Sequence, residues 1–464
     1  MEDRHPSDEF TLSPPGGRMR SLAVGWLALA LASLLIGGFY TVPIVLSGAP
    51  GIQEVFPWSD LFPTALVLHA DLTTILWLLS FAAVLWTIDS TERCRVCGWA
   101  ALALAAGGTL AVSAAPFLGA QAPLTNNFVP LLRHPAFLFG LAVFGLGYSL
   151  LVLRGLLFSI PIDRQMSGEG ALSLGLYTAL LAGLIAILAF AWSYSAVPAE
   201  LEDQYYFEYL FWGSGHVMQL AHTQLMLVAW LCLATASRAQ PQLSPRVALV
   251  LFALGFAPAL ATPLIYLAFD VASPDHGVAF FLLMKYGGTL AALPMGIAVL
   301  LALVTAWNRV SVLDPLRGAL LFSVLLFGAG GALGFLAGGN HLGVSAHFHG
   351  TLAAVTLAYM GLTYHLLPRL GLRDPVGRLV GWQPIVYGGG QLLHLLGLAW
   401  TGVYGVEPKG PGAAQALDGL PSMAGMGMKS LGGLLAVIGG AIYLIVAFRA
   451  MRPFPNASES LPKP

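Results

Sequence analysis

About twelve apolar stretches, each long enough to cross a bilayer as a helix, follow one another along this chain, and no other feature limits its fold so strongly. A hydrocarbon core about 30 Å thick needs about 20 predominantly apolar residues at about 1.5 Å of rise per residue. Such stretches run at 21–47, 63–88, 97–119, 133–154, 170–195, 206–236, 246–268, 279–307, 316–337, 342–367, 380–403 and 427–449. With 57% hydrophobic and 9% charged residues among 464, the chain is too apolar for water. It reads as an all-α integral membrane protein of about twelve transmembrane helices, with one membrane domain over 21–449. Met1–Arg20 is polar and carries Pro14-Pro15-Gly16-Gly17, so it reads as a disordered tail without the apolar core of a signal peptide. Residues 450–464 form a second tail.

If the N-terminus is cytoplasmic, all of the 21 Lys and Arg except Arg133, Lys285, Lys409 and Lys429 fall on the inner side. That bias is the positive-inside pattern, and it puts both termini in the cytoplasm with an even number of spans. The net charge of −1 leaves no basic face for nucleic acid. Cys94-Arg95-Val96-Cys97 has no second pair and no following strand, so it reads as neither a zinc site nor a redox motif. No Cys-x-x-Cys-His occurs, which argues against covalently attached c-type haem. The irregular polar sequence lies in outer loops, Gly48–Phe62, Gly119–Arg133, Ala196–Tyr205, Phe269–Val278 and Gly405–Met428, where a partner would dock.

Histidines carry the chemistry. In Ser345-Ala346-His347-Phe348-His349-Gly350 the two imidazoles are two residues apart, about 200° around a helix, so they face opposite sides and can serve two different metals. His69, His216, His347, His349 and His394 all lie within about ten residues of the outer ends of their helices, which places them in one slab of the membrane. His222 and His365 fall outside it and read as structural. Neutral imidazole suits iron and copper, and His69 with His349 meets the height requirement for a bis-histidine iron. A proton path of titrating histidines is the alternative, although Asp71 is nearly the only acid inside a span.

This pattern resembles subunit I of the haem-copper oxidase superfamily, which includes the cytochrome oxidases and the large subunit of nitric oxide reductases. The resemblance rests on His347-Phe348-His349, on Leu68-His69-Ala70-Asp71, and on Phe211-Trp212-Gly213-Ser214-Gly215-His216. It also covers Ala291-Ala292-Leu293-Pro294, Tyr364-His365-Leu366-Leu367-Pro368 and Gly388-Gly389-Gly390-Gln391-Leu392-Leu393-His394. It implies two haems, a low-spin one held by His69 and His349 and a five-coordinate high-spin one held by His347. His216 is similar to the first ligand of the family's second metal, copper in oxidases and iron in nitric oxide reductases.

The chain departs from the family where that second metal is completed. No adjacent histidine pair occurs in the seventh segment, where Tyr266-Leu267 stands instead. One imidazole does not hold copper or iron tightly, so a conventional second metal is not expected, and Gln219 or Tyr266 is the candidate stand-in ligand or proton donor. The oxidases' tyrosine four residues after the sixth-helix histidine is replaced by Leu220, and neither the oxidases' sixth-helix glutamate nor the glutamates near the reductases' iron have a counterpart.

The resemblance implies a respiratory reductase subunit that passes electrons from an outer-face cytochrome c or copper-bearing partner through the low-spin haem to the high-spin haem. A diatomic gas, nitric oxide or oxygen, is reduced there without proton pumping, and the expected location is a bacterial inner membrane. The alternative is a haem protein that transfers electrons or senses a gas. A twelve-helix transporter would show broken helices and paired half-chain repeats, and neither is visible.

Overall fold

The computed structural model describes residues 8–14, 16–47, 61–120, 122–160, 166–309, 311, 313–336, 341–403 and 420–452. They form twelve long helices: α1 Gly17–Ser47, α2 Leu61–Ile88, α3 Arg95–Ala114, α4 Pro135–Phe158, α5 Gly168–Ala196, α6 Asp203–Ala236, α7 Pro245–Ala268, α8 Pro274–Thr305, α9 Pro315–Leu336, α10 His341–Arg369, α11 Arg378–Val403 and α12 Leu420–Ala450. Eleven are long and apolar enough to cross a membrane. The exception is α11, whose 26 residues include Gln383, Gln391, His394 and three consecutive glycines. Consecutive helices pack as antiparallel neighbours, α3 on α4, α5 on α6, α9 on α10 and α11 on α12. Small residues permit the close approach, as between Gly108 on α3 and the Gly140–Phe144 turn of α4.

Three helices are locally irregular, two of them for a legible reason. In α2 the wider π turn Asp71–Leu76 follows His69. Here the Thr73 and Thr74 hydroxyls donate to the His69 and Ala70 carbonyls, both at 2.7 Å, and compete with the main-chain ladder. In α7, Pro258 and Pro263 each remove a donor, and Ala257–Ala261 tightens to a 3₁₀ turn. In α8 a second π turn, Leu283–Gly287, precedes Gly288.

Both ends of the bundle's chain lie on one side. Arg20 at the start of α1 meets Gly371, and the Arg373 amide donates to the carbonyl of Ala450, which ends α12. On that side, part of the segment expected to be disordered is ordered: Phe10 and Leu12 are buried, and Gln240 Nε2 donates to Glu9 Oε1 at 3.2 Å. The physical reason is that these two apolar side chains gain more from joining the hydrophobic core than the polar tail loses in freedom. Residues 1–7 and 453–464, and most of the expected outer loops 48–62 and 405–428, lie outside the described residues.

The Arg154 guanidinium of α4 is 2% exposed and anchors the turn between α2 and α3. It donates to Ser90 Oγ and to the carbonyls of Thr91, Arg93 and Cys94 at 2.9–3.3 Å. Cys94 and Cys97 are joined as a disulfide on the first turn of α3.

Candidate functional site

Four of the intramembrane histidines share one feature. His69 Nδ1 lies 3.0 Å from the Gly37 carbonyl, His216 Nδ1 2.8 Å from the Trp212 carbonyl, His347 Nδ1 2.9 Å from the Gly330 carbonyl, and His394 Nδ1 2.8 Å from the Lys429 carbonyl. A carbonyl only accepts, so in each ring the proton sits on Nδ1 and the lone pair on Nε2 is presented. Ligand histidines in metalloproteins are oriented in the same way. Thr41 Oγ1, 3.0 Å from His69 Nδ1, braces that ring further.

The opposite-facing arrangement expected of His347 and His349 is visible in their neighbours. His347 turns to α9, where Gly334 makes room for it: a Cβ there would lie 2.5 Å from Nδ1 and 2.8 Å from Cγ. His349 turns to α11, with its ring centroid 5.0 Å from that of His394. His69 is held by α1.

His216 sits in an aromatic box. Its ring lies 4.8 Å from Phe128, 4.7 Å from Trp212 and 5.9 Å from Phe280. Phe128 is carried by the hairpin of β1 (Pro123–Leu124) and β2 (Leu131–Leu132), where Asn126 Oδ1 accepts from the Phe128 and Val129 amides. Its ring occupies the space beside Gly215 and reaches Phe348 on α10 at 6.1 Å, so it connects the His216 box to the His347–His349 turn.

The two expected stand-ins behave differently. Gln219 is half-buried, and its main-chain carbonyl accepts from Thr223 at 2.8 Å. The Tyr266 hydroxyl is already engaged on α5: it donates to the Ala189 carbonyl at 3.0 Å and accepts from Ser193 Oγ at 2.8 Å. Those bonds make Tyr266 a bracket between α7 and α5 and leave it no proton to give a substrate.

Beside Tyr266 is a residue the sequence reading did not single out. His276 is 0% exposed, and neither ring nitrogen has a hydrogen-bond partner. Each buried unpartnered polar atom costs about 1–3 kcal/mol, so such a ring requires a reason. The sequence placed His276 in an outer loop, Phe269–Val278. The signal that would have found it is Ser273-Pro274-Asp275, a helix start with an N-cap serine, a proline at N1 and an early acid. Ser273 Oγ does accept from the His276 amide at 3.3 Å, and α8 begins there. Of the two histidines read as structural, His365 is within 3.0 Å of Arg369 Nη1, whereas His222 Nδ1 is buried without a partner. Asp71, 0% exposed, also has neither oxygen partnered.

On the side of the chain ends, Asp89 closes a cavity of about 220 Å³ with Leu12, Ser13, Glu169 and Ser173. Burial pushes its carboxyl up to about 7, the Ser173 hydroxyl at 2.8 Å pulls it down, and Glu169 pushes it up.

Residues 21–442 match the family described as Cytochrome C and Quinol oxidase polypeptide I. The chain belongs to that family. It is 25% identical over 500 residues to an uncharacterized protein of Rickettsia prowazekii (strain Madrid E), covering 93% of this chain and 96% of that one. It is 27% identical over 362 residues to an uncharacterized protein of Aquifex aeolicus (strain VF5), covering 77% and 88%. Its fold superposes on a chain of a heme-copper terminal oxidase dimer with a TM-score of 0.72 at 16% identity, covering 94% of this chain and 84% of that one. Subunit I proteins of this family bind haem, and the donor set fits: His69, His347, His216 and His394 each present Nε2 with the tautomer fixed by a main-chain carbonyl. The conventional second-metal set does not fit, because Tyr266 and Leu267 occupy the seventh-helix positions and the Tyr266 hydroxyl is committed to α5.

Proposed function

We propose that this subunit I family member is the haem-binding subunit of a respiratory membrane reductase that reduces a diatomic gas, with nitric oxide favoured over oxygen. The carrying observation is the set of oriented imidazoles on α1-braced His69, α9-braced His347 and α6-borne His216. His69 and His349 would hold a low-spin haem, and His347 a five-coordinate one; bound haem iron supplies the electron-transfer and gas-binding chemistry. The chain's own work is to fix each Nε2, to separate the His347 and His349 faces, and to box the gas side with Phe128, Trp212 and Phe280. Absence from the sequence of the oxidases' own sixth-helix tyrosine and glutamate supports nitric oxide and argues against proton pumping. Electrons would enter on the side opposite the chain ends from a cytochrome c or a copper-bearing subunit, in a bacterial inner membrane whose cytoplasmic face carries both termini.

A second reading, a haem protein that transfers electrons or senses gas without turnover, is favoured by one observation, the committed Tyr266 hydroxyl in place of a seventh-helix ligand pair. Reduced and carbon-monoxide difference spectra of purified variants test the haem assignments. His69→Ala and His349→Ala should each remove the low-spin spectrum, while His347→Ala should abolish carbon monoxide binding and spare it. Retention of the low-spin spectrum in both of the first two variants would overturn the assignment. Consumption of nitric oxide or oxygen by the wild type then separates the two readings.

A further inference from the structure

We propose that Cys94 and Cys97 are a redox-active dithiol/disulfide pair on the side of the chain ends, exchanging electrons with a soluble protein dithiol of the cytoplasm. Placing that partner in the cytoplasm rests on the orientation proposed above, whereas the exchange chemistry stands on the pair itself.

The motif has no second cysteine pair beside it in the sequence, and the fold supplies the reason to read it as redox-active. Cys94 is the N-cap of α3 and Cys97 lies in its first turn, with their Cα atoms 5.3 Å apart, inside the range a disulfide bridges, and the two sulfurs joined. The turn lies with the chain ends: Glu92 comes up against Gly17, and Arg154 Nη2 is 3.6 Å from Met19 Sδ on the first turn of α1. Arg18 and Arg20 belong to that turn, and Arg93 and Arg95 flank Cys94. By the positive-inside pattern this face is cytoplasmic. Thiols are kept reduced there, and a disulfide that does form is usually catalytic or redox-sensing.

Stability does not account for the bond. A disulfide stabilises chiefly by closing a long loop of the unfolded chain, and this one has a sequence separation of 3. The turn is already held by Arg154, which donates to Ser90 Oγ and to the Thr91, Arg93 and Cys94 carbonyls, bonds that involve neither cysteine sulfur.

Cys94 is exposed and Cys97 half-buried, so an incoming thiolate meets Cys94 Sγ. Its attack forms a mixed disulfide and breaks the Cys94–Cys97 bond, and Cys97 leaves as a thiolate on the first turn of α3, where free main-chain N–H groups favour negative charge. The partner's second thiolate then attacks the partner's own sulfur in the mixed disulfide and releases the Cys94 thiolate, which the arginines on either side favour. The pair gains two electrons and two protons, and the partner loses as many and ends as a disulfide. Cys232, the third cysteine, is 1% exposed and takes no part.

The test uses the full-length protein purified in detergent under air and incubated with reduced thioredoxin. After an acid quench the chain is unfolded, and its thiols are counted from the mass added by a maleimide. The count should rise from one, Cys232, to three. Three thiols before treatment, or one after it, overturns the proposal. Thioredoxin lacking its second cysteine should be trapped on Cys94, and a linked peptide containing Cys97 instead would overturn the order of attack. Sidedness is read separately: a membrane-impermeant maleimide should label the reduced pair in inverted membrane vesicles and not in right-side-out ones. Labelling with the opposite sidedness would remove the cytoplasmic orientation and the cytoplasmic partner, with the exchange in detergent still standing. Correct sidedness without exchange would keep the orientation and remove the redox pair.

Discussion

Replacing Gly334 by alanine tests the seating of His347 through a residue that carries no chemistry. The new Cβ would lie 2.5 Å from Nδ1, 2.8 Å from Cγ and 3.1 Å from Cε1 of His347, and ordinary contact begins at 3.4 Å. The ring must therefore retreat from α9 by about 0.9 Å, the difference between these contact distances. Because α9 also carries the Gly330 carbonyl that accepts from Nδ1 at 2.9 Å, the same retreat stretches that bond past about 3.2 Å, the usual limit. Overpacking costs about 1–3 kcal/mol, and the lost bond about 0.5–1.5 kcal/mol. Losing an outer-shell partner lowers metal affinity about 10–100-fold. Gly331→Ala is the matched control: it makes the same change on the same helix with nothing within 4 Å of the new Cβ. The reduced-plus-carbon-monoxide difference spectrum per chain should fall in Gly334→Ala and hold in Gly331→Ala, with the low-spin spectrum kept in both. Equal carbon monoxide spectra in the two variants would refute the seating argument.

Two further predictions concern the side of the chain ends. Asp89 has a folded-state value raised to about 7 from an ordinary 3.8, so the folded chain binds this proton more tightly than the unfolded one. Its stabilising effect is present at low pH and is lost as pH rises from about 4 to about 7, on a scale of about 4 kcal/mol. Melting temperatures in detergent should fall over that window in wild type relative to Asp89→Asn, and parallel curves would sink the idea. Arg154→Met removes the donors to Ser90 and to the Thr91, Arg93 and Cys94 carbonyls and should lower stability by about 2–3 kcal/mol. A melting shift no larger than that of the exposed Arg93→Met would show that Arg154 does not anchor the turn.

The number and order of the helices were legible in the sequence because a bilayer admits few solutions: about twenty apolar residues form a helix whatever surrounds them. The opposite facing of His347 and His349, towards α9 and α11, was legible too, since a two-residue spacing on a helix separates two side chains whatever the partners. The buried tail residues Phe10 and Leu12 were not, because nothing local says that a distant glycine lets the Glu9–Phe10 main chain approach the bundle.

Tertiary structure alone decided which groups each histidine meets. The carbonyls that fix Nδ1 belong to other helices for His69, His347 and His394, and no spacing rule connects residue 69 to residue 37 or 347 to 330. The same holds for Tyr266, a plausible stand-in ligand by position until its hydroxyl is found on α5. It holds for His276, which the chain order assigns to a loop and packing buries beside Phe280. Local periodicity sets where a side chain points along its own helix, whereas packing between helices sets what it finds there.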